Sequence, residues 1–113
     1  MFNAVDPRGY SIVCSDDTIS HIECHKVMEN NHAAIEQTIT NPDAIFKSAE
    51  RDDRDVYFAK PSCATYSKHN LYTKVVVQLD ESSMVGEVVT AFPSPGIKGN
   101  ISEGGIVYVK PRL

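Results

Sequence analysis

Residues 71–79 read LYTKVVVQL, and this stretch decides the fold. It is rich in β-branched residues, which favour extended backbone over helix. Its apolar part, residues 75–77, is continuous rather than alternating, which is typical of a strand with neighbours on both sides. We therefore predict that residues 71–79 form a central strand of a sheet.

Shorter strands are predicted on both sides of this stretch. Before it, the apolar pattern predicts strands at residues 44–48 and 56–60, with a charged turn at residues 50–55 between them. After it, residues 85–92 and 106–109 are predicted as the next strands. The loops between these strands are short, which favours antiparallel pairing because parallel pairs need a long crossover.

Two helices are predicted before the first of these strands. Residues 18–28 and residues 32–40 carry apolar side chains at helical spacing. The polar side chains of residues 15–17 can cap the first helix. Asn41-Pro42 ends the second helix, because the residue before a proline is pushed out of the α region.

The order of these elements predicts an α+β fold, in which an N-terminal helix pair packs on a four- to five-stranded antiparallel sheet. A short strand at residues 10–14 precedes the helices, and residues 1–9 are predicted to be a loose lead-in. The chain has 113 residues, which suits one domain, residues 1–113, with its core at residues 10–110.

Composition and charge limit the function classes. Apolar residues make up 42% of the chain and charged residues 23%, which is ordinary for a globular protein. The net charge of −4 disfavours a large basic face of the kind that nucleic-acid binders usually show. A small enzyme needs only a local basic patch. Its candidates are Arg51, Arg54, Lys60, Lys68 and Lys74.

The cysteines and the apolar pattern indicate the compartment. The chain has no apolar run long enough to span a membrane, and residues 1–11 lack the pattern of a signal peptide. The chain has an odd number of cysteines, Cys14, Cys24 and Cys63, and they form no CxxC motif. This pattern favours free thiols in a reducing compartment. We predict a cytoplasmic protein with no membrane partner and no bonded cysteines.

His21 and His25 stand four residues apart, which puts both rings on one face of the first predicted helix. Histidine is suited to proton transfer near neutral pH. A pair of exposed histidines without a function is one alternative. A zinc site with Cys63 or His69 as third ligand is another. The run HIECH lacks the glutamate that directly follows the first histidine in protease zinc helices, so we predict no metal and no cofactor.

Further residues have side chains suited to binding RNA. The hydroxyl of Thr90, late in its predicted strand, can hold a phosphate oxygen. Tyrosine rings can stack on bases, and a lysine ammonium can pair with phosphate. The predicted substrate-binding residues are Tyr57, Lys60, Tyr66 and Lys74. The alternative is that the threonine and the tyrosines are ordinary strand residues.

The run HIECHKV, followed by IEQTITNPDAIF, LYTKVVVQL and VVTAF, resembles a family of phage nuclease domains grouped with barnase, EndoU, colicin and RelE toxins, called PBECR domains. The resemblance covers about residues 18–92. Its elements are His21-Ile22, His25, Asn41-Pro42-Asp43, Val75-Val76-Val77 and Thr90-Ala91-Phe92. Cys24 and Lys26 depart from it, because family members often carry Arg and Pro at these places.

The resemblance implies a barnase-like and RelE-like (BECR) fold, with two helices on a four-stranded antiparallel sheet. It also implies RNA cleavage without a metal. We predict a metal-independent endoribonuclease, or RNase-like toxin domain, of phage or toxin-system origin. Its catalytic residues are His21, His25 and Thr90, and its substrate is RNA. The acidic charge and the missing arginine favour the alternative, a non-catalytic interaction domain of a phage or host-modulating protein that retains the fold and binds a protein inhibitor or partner.

Overall fold

The computed structural model describes residues 1–60, 63–66 and 71–111. The predicted candidates Lys68 and His69 lie outside these residues. The described chain forms seven strands and two α-helices: β1 (Phe2–Val5), β2 (Ser11–Cys14), α1 (Asp16–Glu23), α2 (His32–Thr40), β3 (Ala44–Ser48), β4 (Arg54–Ala59), β5 (Tyr72–Asp80), β6 (Val85–Ser94) and β7 (Ile101–Val109). A 3₁₀-helical turn, Lys26–Met28, lies between the helices.

The seven strands form one sheet in the order β1-β2-β6-β5-β4-β3-β7. β5 lies in the middle and pairs antiparallel with both β4 and β6. The prediction that residues 71–79 form a central strand is therefore confirmed. β2 and β6 run parallel, so the sheet is mixed.

The predicted fold class, an α+β fold with a helix pair on a four- to five-stranded antiparallel sheet, is wrong. The described chain is mostly β, with seven strands in a mixed sheet and two short helices. Residues 2–5, predicted as lead-in, form β1, in which Phe2 pairs with Cys14 and Val5 with Ser11. Four residues are too few for an alternating pattern to stand out from a loop. The parallel pair arises because both helices lie in the long connection between β2 and the later strands.

The first helix is shorter than predicted, and the second has the predicted limits. The side chain of Ser15 accepts a hydrogen bond from the Thr18 amide and caps α1. α1 ends at Glu23, and His25 has extended backbone, with φ −81° and ψ 117°, which separates α1 from the 3₁₀ turn. α2 spans His32–Thr40, as predicted. Neither these helices nor any other in the described chain is long and apolar enough to cross a membrane.

One face of the sheet packs against the helices. Ile22 of α1 and Ile35 and Ile39 of α2 are buried in one cluster with Tyr57 and Val75 of the sheet. Burying such aliphatic and aromatic side chains stabilises the fold by about 1.5 to 3 kcal/mol each. This cluster fixes where α1 and its His21 lie relative to the strands.

The connection between β6 and β7 crosses the other face of the sheet. Because successive strand side chains point to opposite faces, Lys74 lies on the face away from Val75 and the helices. Residues 95–100 connect β6, which is third in the order of the sheet, to β7 at its edge. Lys74 donates hydrogen bonds to the carbonyl oxygens of Lys98 and Gly99 in this crossover segment (residues 95–100). A pocket lies beside it.

Candidate functional site

The candidate site is a pocket of about 130 Å³ on the sheet face away from the helices. We call it the sheet pocket. It is lined by residues of β3, β4, β5, β6 and the adjoining turns: Ser48, Glu50, Arg54, Val56, Lys74, Val76, Val89, Thr90, Phe92 and Asn100. The pocket therefore combines two cations, a carboxylate, two hydroxyls and an amide with an apolar floor.

Lys74 is the buried cation of the sheet pocket, and its side chain is 4% exposed. Its Nζ atom lies 2.6 Å from the Gly99 carbonyl oxygen and 3.1 Å from that of Lys98. An ammonium group has three N–H donors. The two carbonyls use two of them, so within the described residues one is left for a ligand.

Aromatic rings and burial shape the electrostatics of Lys74. Its Nζ atom lies 5.3 Å from the centroid of the Phe92 ring and 5.7 Å from that of Phe58, within the range of cation–π attraction. Burial lowers the pKa of Lys74, and the nearby Glu50 carboxylate opposes this shift. A bound anion would also favour the charged form.

Arg54 and Thr90 lie on either side of Lys74 in the pocket. The Nε atom of Arg54 is buried and has no hydrogen-bond partner within the described residues. Thr90 is half-buried on β6 and pairs with Val76 of β5. The pairing shifts between Val76 and Val77, which leaves Val89 as the extra residue of a β-bulge. Such bulges turn side chains and often adjoin functional sites, and here both Val89 and Thr90 line the pocket.

Glu50 is a functional candidate that the sequence did not single out. It is exposed, and among the described lining residues it is the one carboxylate. The sequence placed it in a charged turn with several other charged residues. In the folded chain Glu50 and Lys74 line the same pocket. Nothing in the sequence spacing distinguishes Glu50 from the other charged residues of this turn.

The structure does not bring the two predicted catalytic histidines to the sheet pocket. Both are exposed, and their ring centroids lie 6.5 Å apart with an angle of 84° between the planes. They flank the end of α1, whose Ile22 packs in the helix-side core with Ala91. Because Ala91 and Thr90 are neighbours on a strand, their side chains point to opposite faces. The histidines and Thr90 therefore lie on opposite sides of the sheet.

Tyr57, predicted to bind substrate, is a core residue with 0% exposure. Its hydroxyl donates to Asp6 Oδ2 at 2.6 Å and accepts from Arg8 Nη2 at 3.0 Å. Arg8 also binds Asp55 Oδ2 at 2.8 Å. Burial and the Asp6 carboxylate raise the pKa of Tyr57, so this hydroxyl stays protonated. The geometry supports a structural role for Tyr57, which ties the β1–β2 turn to β4.

Tyr66 and Lys60 lie apart from the sheet pocket. Tyr66 is buried, and its hydroxyl shares a 2.6 Å hydrogen bond with Thr73. Burial raises the pKa of Tyr66. Lys60 is exposed, with its Nζ atom 4.5 Å from the Tyr72 ring centroid, and it lines a different pocket of about 270 Å³. Of the four predicted substrate-binding residues, the structure places Lys74 beside Thr90.

The alternative of a metal site gains no support from the described residues. They contain no group of three or more His, Cys, Asp or Glu side chains that could hold a metal ion. Cys63 is exposed, and its Sγ atom lies 3.4 Å from Gln37 Oε1. His69, the other suggested third ligand, lies outside the described residues.

Comparison with protein-family models, with curated proteins and with solved structures finds no match.

Proposed function

We propose that this protein is a metal-independent ribonuclease whose site is the sheet pocket rather than the histidine pair. The observation that carries the proposal is that one small pocket is lined by Arg54, Lys74 and Thr90. Two cations and a hydroxyl are the groups that bind a phosphodiester and stabilise the charge that develops on it. The acidic net charge of the chain is compatible with this, because the pocket itself holds two cations, Arg54 and Lys74.

Each of the three side chains, Arg54, Lys74 and Thr90, donates a hydrogen bond to the phosphate in this proposal. Arg54 has a buried Nε–H without a partner in the described chain, and a phosphate oxygen supplies the missing acceptor. Lys74 contributes its third N–H, and Thr90 contributes a neutral hydroxyl donor. The pocket of about 130 Å³ suits a single phosphate group better than a base.

Glu50 and Lys74 provide a proton acceptor and a proton donor on the same side of the sheet. The Glu50 carboxylate takes the proton from a ribose 2′-OH as its oxygen bonds to phosphorus. The bond from phosphorus to the leaving 5′-oxygen breaks, and that oxygen takes a proton from the Lys74 ammonium. The products are a 2′,3′-cyclic phosphate and a free 5′-OH. The neutral amine keeps two N–H donors for Lys98 and Gly99, and the burial that lowers the pKa of Lys74 favours this neutral form.

The experiment that tests this function is incubation of the pure protein with total RNA in EDTA. The expected products carry 2′,3′-cyclic phosphate ends. Glu50→Gln, which keeps the size of the side chain but removes its charge, should lower the rate by about 100-fold, as for loss of a general base. Asp43→Asn, a carboxylate outside the sheet pocket, is the matched control. RNA that stays intact at high protein concentration would overturn the proposal and leave the interaction domain as the better function.

A further inference from the structure

A second cavity lies on the other face of β3 and β4. It has a volume of about 610 Å³ and lies between the β3–β4 turn and the β5–β6 turn. We call it the acidic cavity. It is lined by Lys47, Asp52, Asp53, Asp55, Leu79, Asp80, Glu81 and Ser82. None of these described residues lines the sheet pocket.

Negative charge is concentrated around the acidic cavity. Five carboxylates and one ammonium line it, and two guanidinium groups from outside the lining, those of Arg8 and Arg51, pair with Asp55 and Asp53. A hydrogen bond from Arg51, outside the lining, lowers the pKa of Asp53, and hydrogen bonds from Ser82 and Ser83 lower that of Asp80. Both carboxylates are therefore ionised at neutral pH.

Asp55 pairs with Arg8 and Lys47 in this cavity, but one of its carboxylate oxygens lacks a hydrogen-bond donor among the described residues. It is 1% exposed, and its Oδ2 atom accepts from Arg8 at 2.8 Å. Its Oδ1 atom is buried and has no hydrogen bond from any described residue. Lys47 Nζ lies 3.8 Å from Oδ1, too far for a hydrogen bond, and 3.5 Å from Glu81. A buried carboxylate oxygen without a donor is costly, so a further donor would stabilise this site.

We propose that the acidic cavity receives an arginine or lysine side chain from a basic segment of a partner protein. Charge complementarity selects a cation, and Leu79 offers an apolar wall for the methylene groups of such a side chain. The volume exceeds what a bare ion needs, and the described residues form no metal-binding group. The side chain of Lys47, which is 38% exposed, moves aside so that the incoming donor reaches Asp55.

Peptide binding tests this proposal without reference to RNA. A fluorescein-labelled Gly-Ser-Arg repeat peptide is titrated with the full chain, and anisotropy is measured at about 50 mM and about 500 mM salt. Asp52 and Asp80 are both exposed, so Asp52→Asn/Asp80→Asn should preserve the fold. The matched control, Asp17→Asn/Glu36→Gln, removes the same charge from the helices. A Gly-Ser-Glu repeat peptide controls for the label.

We expect the cavity variant to weaken binding of the arginine peptide by about fivefold, as for the loss of two solvent-exposed ion pairs. The control variant should change it by less than about twofold. An equal loss in both variants would show binding by net charge alone and would overturn the proposal. So would a wild-type protein that does not bind the peptide at low salt. Spermidine that binds the wild type more tightly than the peptide would assign the cavity to a free polyamine instead.

Discussion

The Nζ atom of Lys74 lies 2.6 Å from the carbonyl oxygen of Gly99, which joins the central strand to the crossover segment. Gly99 has a positive φ of 89°, a conformation that glycine adopts without strain. A Cβ atom added at Gly99 would lie 2.9 Å from Lys74 Nζ. The geometry of the sheet pocket therefore depends on a glycine at this position.

Gly99→Ala should destabilise the protein by about 1 to 3 kcal/mol, because a side chain is strained at this backbone conformation. It should also lower RNA cleavage, since the added Cβ displaces Lys74. Gly96→Ala is the control from the same segment, because a Cβ there meets nothing within 4 Å. Urea unfolding and cleavage rates of the two variants check this. Equal effects of both substitutions would contradict it.

Tyr57→Phe should lower the free energy of unfolding by about 1 to 3 kcal/mol, because it removes a buried hydroxyl between Asp6 and Arg8. The RNA cleavage rate at a temperature where both proteins are folded should not change. Tyr108→Phe, on the half-buried Tyr108 of β7, should have a smaller effect on unfolding. A Tyr57→Phe protein of normal stability that fails to bind RNA would restore the substrate-binding role predicted from the sequence.

The three cysteines should differ in reactivity. Cys14 is buried, and Cys24 and Cys63 are exposed, all as free thiols. A thiol reagent at neutral pH should modify two cysteines of the native protein quickly and the third only on unfolding. Mass spectrometry identifies the protected residue. Three fast thiols in the native state would contradict the buried position of Cys14, and a single thiol after unfolding would indicate a disulfide.

The buried thiol of Cys14 should make the folded protein less stable at alkaline pH. Burial raises the pKa of this thiol from 9.0 to about 11. Between these values the folded state keeps a proton that the unfolded chain has lost, so stability falls as the pH rises from 9 to 11. The slope is on the order of 1 kcal/mol per pH unit for one group. Cys14→Val, in which nothing titrates at this position, should show a shallower decline in thermal melting experiments over the same range.

A histidine double variant, assayed with and without EDTA, tests whether the histidine pair or a metal takes part in RNA cleavage. His21→Ala/His25→Ala should leave the cleavage rate within about twofold of wild type, the usual effect of exposed substitutions. EDTA should not lower the rate of either protein. A loss of about 100-fold in the double variant would return proton transfer to the histidines. Loss in EDTA that zinc restores would indicate a metal site.

Local signals were enough to predict the middle of the fold. β5 was predictable because its β-branched run is long, and α2 because Asn41-Pro42 ends it. β1 was missed because four residues give a weak pattern. The parallel pairing of β2 with β6 joins segments far apart in sequence, and no local pattern indicates it.

The candidate site was predictable one residue at a time but not as a set. Lys74 and Thr90 were both singled out from the sequence, and pairing of β5 with β6 puts them in one pocket. The ring centroids of His21 and His25 lie 6.5 Å apart, but His25 lies beyond the end of α1, so the prediction that one helix face carries both rings is wrong. Spacing along a helix, however, does not say which face of a sheet that helix covers. This is why the histidines were grouped with Thr90.

The most direct test compares two lysine variants in RNA cleavage. Lys74→Met removes the buried ammonium of the sheet pocket and keeps a long apolar side chain, and Lys26→Met removes an exposed lysine beside the histidines. Circular dichroism and thermal melting first establish that both variants are folded. Lys74→Met should then lower the cleavage rate by about 100-fold, as for loss of a general acid. Lys26→Met should lower it by less than about twofold. The reverse order, with Lys74→Met active and Lys26→Met inactive, would contradict a site in the sheet pocket.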